Sequence, residues 1–143
     1  MVYFQKWKMV LGGAAILLFL GAFYDKSELC GAADVDKLIL TTALMCEDVQ
    51  DRQPLNEGVV FSIGTGKVFC YTVFNTVPEA TYVMHNWYNR DNLSTKIKLQ
   101  LQPPRWTTYS AIQLRESDKG PWRVEITDSD GRLLQVLRFS VTE

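Results

Sequence analysis

The stretch CYTVFNTVPEATYVMHNWY, residues 70–88, carries side chains that could do chemistry: Cys70, Thr72 and the single histidine of the chain, His85. An imidazole is the one side chain that ordinarily changes charge near neutral pH, so His85 is the natural candidate for proton transfer. In an extended chain, Val83, His85 and Trp87 share one face, and Tyr82, Met84, Asn86 and Tyr88 share the other. As a general base His85 would need a nucleophile. Ser110 and Thr72 are at hand, but no Gly-x-Ser-x-Gly elbow frames either of them. A histidine flanked by apolar residues and a tryptophan reads more simply as a core or rim residue with a satisfied hydrogen bond. No catalytic residue is therefore assigned. His85, Trp87, Arg105, Trp106 and Trp122 are kept as candidate ligand or partner contacts.

Other constellations carry less. Glu47, Asp48 and Asp51 cluster near one turn. Asp128, Asp130 and Gly131 resemble part of a calcium loop, but that loop would place Ile126 at its first ligand and Leu137 at its final glutamate, so a turn is the simpler account. One histidine and three cysteines without a Cys-x-x-Cys pair make a four-ligand zinc site hard to assemble. No metal or cofactor is expected. The formal net charge of -1 supplies no basic stripe for phosphates, so nucleic acid is not an expected partner. Trp87, Trp106, Trp122 and several tyrosines could form a platform for sugar rings, although aromatics in strands more often fill a core. Arg105 and Arg123 each adjoin a tryptophan and are expected to stack on a ring.

The elements that must position these residues are strands. Hydrophobic residues at 47% and charged residues at 22% suit a folded chain rather than a disordered one. From Lys37 onward the chain alternates and turns at short intervals, with no helical period. KLILTTALMCEDV, GVVFSIG, GKVFCYTVF, TYVMHNWYNR, STKIKLQLQ, WTTYSAIQL, PWRVEITD and RLLQVLRFSVTE read as strands. Turns are expected at Asn89-Arg90-Asp91-Asn92 and at Ser129-Asp130-Gly131. The expected fold class is all-β, an immunoglobulin-like antiparallel sandwich of seven or eight strands over 37–143. Cys46 and Cys70 fall in two of these strands. If the strands are close, a disulfide between them would suit an oxidising compartment; two buried thiols are the alternative. Cys30 is left over.

Ahead of this domain, Met9 to Tyr24 carries no charge, and Lys6, Lys8, Tyr3, Phe4 and Trp7 precede it. The run is short against the roughly 17–25 residues of a spanning helix, but interfacial aromatics and snorkelling lysines extend it. A retained anchor over 1–25 is preferred to a cleaved signal peptide, because small residues in a cleavage pattern come only at Gly31-Ala32-Ala33. Residues 26–36 read as a tether. The lysine bias places the N-terminus inside and the domain outside the cytoplasm. Gly12, Gly13, Ala14 and Ala15 would let a neighbouring helix approach closely.

Several pieces occur in a characteristic order: ALMCEDVQDRQPLN, GKVFCYTVFN, VMHNWY, PPRWTTYSAIQL, GPWRVEITDSDGRLL and FSV. In them the chain, from about Leu38 to Val141, resembles a bacterial domain-of-unknown-function family often found behind a single membrane helix. The resemblance implies an extracytoplasmic β-sandwich and no established activity. The expectation is a non-enzymatic accessory subunit of the bacterial inner membrane. Its single pass would contact lipid, and its periplasmic domain would contact other subunits of a complex, respiratory or photosynthetic. The alternative is an envelope module that binds glycan through surface aromatics.

Overall fold

Alternation of apolar and polar residues along the chain builds two inward faces. On one strand Val83, His85 and Trp87 are buried together, and on another Trp122, Val124 and Ile126. The structure is a computed structural model that describes residues 37–143. The strands are β1 (Ile39–Gln50), β2 (Gln53–Glu57), β3 (Val60–Ser62), β4 (Lys67–Thr76), β5 (Thr81–Asn89), β6 (Asn92–Leu101), β7 (Trp106–Gln113), β8 (Gly120–Thr127) and β9 (Leu133–Thr142). They form a four-stranded sheet in the order β2-β1-β4-β7 and a five-stranded sheet in the order β3-β9-β8-β5-β6. The all-β, two-sheet expectation holds. The expected anchor over 1–25, the tether over 26–36, residues Gly12, Gly13, Ala14 and Ala15, and Cys30 lie outside the described residues. Among the described residues no helix is long and apolar enough to cross a membrane.

The structure corrects two expectations about the sheets. There are nine strands among the described residues rather than seven or eight. The strand not foreseen is β2, whose sequence QPLNE is polar and contains Pro54. Proline cannot donate to a ladder, and β2 accordingly sits at a sheet edge, facing β1 alone. It is reached through a tight turn in which both Asp51 and Arg52 have positive φ, 49° and 61°. That is the pattern of a primed hairpin turn, written without the usual glycine. The pairing is also not wholly antiparallel. Three residues of β3 run parallel to β9, with Phe61 opposite Val141. Where turns were expected they are found. Arg90 and Asp91 turn β5 into β6 with φ of 46° and 65°. Gly131, at φ 80°, turns β8 toward β9, with Asp128 bonding the turn from within.

The core lies between the sheets and centres on aromatic rings. Phe139 of β9 meets Trp87 edge-on at 6.1 Å, stacks with Trp122 at 6.0 Å and meets Phe61 at 5.9 Å. Cys70, Met45 and Val68 cover this group from the four-stranded sheet. A second cluster, Phe74, Val77, Val83 and Leu101, fills the other end, with Trp106 packed against it.

The expected Cys46–Cys70 bridge is corrected: both cysteines are free, buried thiols. Their strands are adjacent, but Cys70 lies opposite Met45 and Cys46 opposite Phe69. That offset of one residue sends the two sulfurs to opposite faces of the sheet. Cys70 enters the core, where burial pushes its thiol up. Cys46 points to the outer side, against the backbone of Leu55 and Asp48, and burial raises its thiol too.

Candidate functional site

Residues 70–88 form β4, a short connection and β5, and their chemistry-bearing side chains converge in the interior. β5 is a central strand, with β6 on one side and β8 on the other. His85 therefore lies between Ile97 and Ile126 in the sheet. Its side chain faces the other sheet, where Ser110 of β7 stands opposite Cys70 of β4. The Nδ1 atom of His85 lies 2.7 Å from Ser110 Oγ, and Trp87 Nε1 donates to the same oxygen at 3.2 Å. A hydroxyl that accepts from the indole has its own hydrogen free for the imidazole. With the ring proton on Nε2, Nδ1 is the acceptor of that hydrogen. That Nε2 has no hydrogen-bond partner in the structure.

The geometry of a serine beside a histidine is that of an activated nucleophile, but the surroundings are not. His85 is 0% exposed, and Ser110 is 4% exposed. Burial alone pushes the imidazole down to about 4, so it is neutral at ordinary pH. Thr72, the other hydroxyl considered, is also fully buried and donates to the carbonyl of Thr108 at 3.0 Å. The His85–Ser110–Trp87 group fastens one sheet to the other through polar atoms inside an apolar core. Ser110 was visible in the sequence only as a hydroxyl; its pairing with His85 depends on the packing of the two sheets.

This placement corrects part of the expected contact set. His85 and Trp87 lie wholly in the interior, out of reach of a ligand or partner, and the Trp122 ring is turned into the core with only an edge left at the surface, because inward alternation on β5 and β8 carries these side chains inward. Trp106 is half-buried against the second cluster. Arg105 is exposed. Arg123 does stack on a ring, but the ring is Tyr88, at 4.1 Å, rather than its neighbour Trp122. Successive residues of a strand face opposite ways, so Trp122 turns inward and Arg123 outward. The sugar-platform arrangement also loses its main components with Trp87 and Trp122 buried. The aromatic pair Phe69 and Tyr109 remains on the outer side of the four-stranded sheet, at 6.0 Å, but its rings are tilted by 59° and do not form a flat surface.

The two outer faces differ in chemistry. On the five-stranded sheet, Lys98 lies over Tyr82 at 4.0 Å and Arg123 over Tyr88. Arg123 also pairs with Glu125 at 2.9 Å and with Asp91. On the four-stranded sheet, Tyr71 lies opposite Leu44 on one side and Tyr109 on the other, and Phe69 lies opposite Ala111. The Tyr71 hydroxyl donates to the Arg52 carbonyl at 2.8 Å, which ties the β1–β2 turn to the sheet.

Comparison with known families places residues 80–141 on the model of a protein of unknown function, DUF2914. The matched span takes in β5 to β9, including His85, Trp87, Ser110 and Arg123. It supports a domain-of-unknown-function family. The earlier pieces of the sequence pattern, those around Cys46 and Cys70, lie ahead of the match. No curated protein matches the chain.

Proposed function

We propose that the chain is a non-enzymatic accessory subunit of a larger membrane complex. A single N-terminal span anchors it, and the β-sandwich, held outside the cytoplasm, contacts other subunits. The observation that carries this reading is the outer face of the four-stranded sheet. There Leu44, Tyr71 and Tyr109 form one cross-strand row beside Phe69 and Ala111. Tyr109 is 43% exposed and Leu55, from the edge strand, 38%. Tyrosine and phenylalanine are enriched at protein interfaces, and Tyr109 presents one such ring to solvent on the β7 edge while Tyr71 beside it is buried. The strand order of the five-stranded sheet, with a short parallel strand on β9, supports an immunoglobulin-like classification. The uncharged run Met9–Tyr24 supports the anchor, and the preceding lysines support an inner N-terminus.

The test is extraction of the full chain in neutral detergent, followed by measurement of its mass in solution. The expected result is a complex with other proteins that Tyr109→Glu breaks while leaving the domain folded. Recovery of the unaltered chain as a lone monomer overturns the reading. A reporter enzyme active only outside the cytoplasm, fused after Glu143, is expected to be active.

A further inference from the structure

On the opposite side of the sandwich, the β5–β6 turn, the loop ahead of β8 and the outer faces of β8 and β9 enclose a cleft of about 170 Å³. Three guanidinium groups line it, those of Arg90, Arg123 and Arg138, with Asp91, Tyr88 and Trp122 in its wall. Two of the three are fixed by the protein. Arg90 donates from its main chain to Pro121 at 3.0 Å and from Nη2 to the Lys119 carbonyl. Its guanidinium lies against Gly120, where an added Cβ would come within 3.0 Å of both Nε and Nη2. Gly120 also has φ of 117°, a conformation that favours glycine. Arg123 is held over Tyr88 and paired with Glu125 and Asp91.

Arg138 has no such partners. It is exposed, and among the described residues no carboxylate pairs with it or with Arg90. It stands directly opposite Arg123 in the β8–β9 ladder. Like charges in that relation cost stability unless something between them carries the opposite sign. Asp91 and Glu125 both serve Arg123, so the cleft keeps an excess of positive charge in a chain whose net charge is -1.

We propose that this cleft binds a tetrahedral oxyanion, a phosphate group, through Arg138 and Arg90, with Arg123 positioned behind them. A carboxylate offers one planar edge, which a single arginine fork satisfies. A phosphate group offers oxygens in several planes, and these suit forks that arrive from a turn and from two strands. The same chemistry is presented by free phosphate and by the phosphodiester of a lipid headgroup. The cleft and the aromatic face lie on opposite outer faces, so variants at Arg138 and at Tyr109 report separately.

The experiment uses the full chain in neutral detergent at low salt, titrated with inorganic phosphate in one arm and with glycerophosphoglycerol in the other. Binding is followed by phosphorus NMR and by the melting temperature. Saturable binding is expected in at least one arm, with a dissociation constant on the order of 1 mM, weakening as salt is raised. Tighter binding of the diester identifies a headgroup, and tighter binding of inorganic phosphate identifies the free ion. Arg138→Gln is expected to weaken binding at least about tenfold, equal to roughly 1.4 kcal/mol. Without ligand it is expected to melt no lower than the unaltered chain, because it removes a like-charge pair. Lys98→Ala, on the same sheet face but outside the cleft, is expected to bind as the unaltered chain does. Saturation in neither arm, or equal binding by Arg138→Gln, overturns the proposal, as does an equal loss in Lys98→Ala.

Discussion

Trp87 and Tyr88 are neighbours in the chain, yet each belongs to a polar cluster of opposite character. Trp87 points inward and joins His85 and Ser110 in a group that water does not reach. Tyr88 points outward and supports Arg123, which is bonded to two carboxylates and lies beside an open cleft. Inside, burial removes the charge from an imidazole and leaves it as an uncharged strut. Outside, solvent and carboxylates keep the guanidinium charged. A side chain's chemical potential therefore says little until its face is known. Histidine, the residue with the greatest catalytic promise in this sequence, is the one that the fold buries and leaves uncharged. The arginines, which had no motif to recommend them, are the ones left able to bind.

The contrast is sharpest in stability. Trp87→Ala should remove a ring from the centre of the core and destabilise by about 3–5 kcal/mol. Arg123→Ala, on the outer face of the same sheet, should cost under about 1 kcal/mol, since its ion pairs reach the exposed Asp91 and the partly exposed Glu125 and its ring contact lies at the surface. Urea denaturation of the two variants compares the faces directly, and similar losses would erase the distinction.

The next largest effect is with acid. His85 has its folded pKa depressed, from 6.5 to about 4, by burial. Below pH 6.5 the unfolded chain takes up a proton that the folded chain refuses. Stability contributed by the neutral ring is thus complete above that pH and declines as the pH falls toward 4. The full loss is about 3 kcal/mol. His85→Leu should flatten the denaturation midpoint over this window. Asp128 acts lower down. Burial raises its carboxyl, but hydrogen bonds from Arg132 and Asp130 outweigh that and hold it below 3.8. Its contribution is present above 3.8 and is lost at more acid pH. An unchanged acid slope in His85→Leu would mean that the imidazole is not sealed.

A smaller effect is expected at Ser110. Ser110→Ala leaves both the His85 Nδ1 and the Trp87 Nε1 without a partner, at a cost of roughly 2 kcal/mol. Ser110→Thr, which keeps the hydroxyl, should recover part of this. The smallest effect concerns the thiols. Because Cys46 and Cys70 face opposite sides of their sheet, a reductant should leave the melting temperature unchanged. A drop of several degrees would show that the register of β1 and β4 differs from the one described.

Much of the frame was legible in the residues. Alternation in VMHNW assigns His85 and Trp87 to one face and Met84 and Asn86 to the other, and both assignments hold. In the Asn89–Asn92 and Asp-Gly turns, Asp91 and Gly131 are residue types that tolerate positive φ, whereas Arg90 takes it without that preference. β2 was not legible, because a polar edge strand with a proline lacks the apolar alternation by which strands are read.

By itself, the sequence determined the all-β class, several turns, and which residues of β5 share a side. Those are consequences of a period of two and of local backbone preference, and neighbours in the chain suffice to express them. Only the tertiary structure decided what each side meets. It placed Ser110 against His85 across the two sheets and set Cys46 one residue out of step with Cys70. It also put Arg138 opposite Arg123. Each of these is a register or packing relation between segments far apart in the chain, and a shift of one residue would have reversed it.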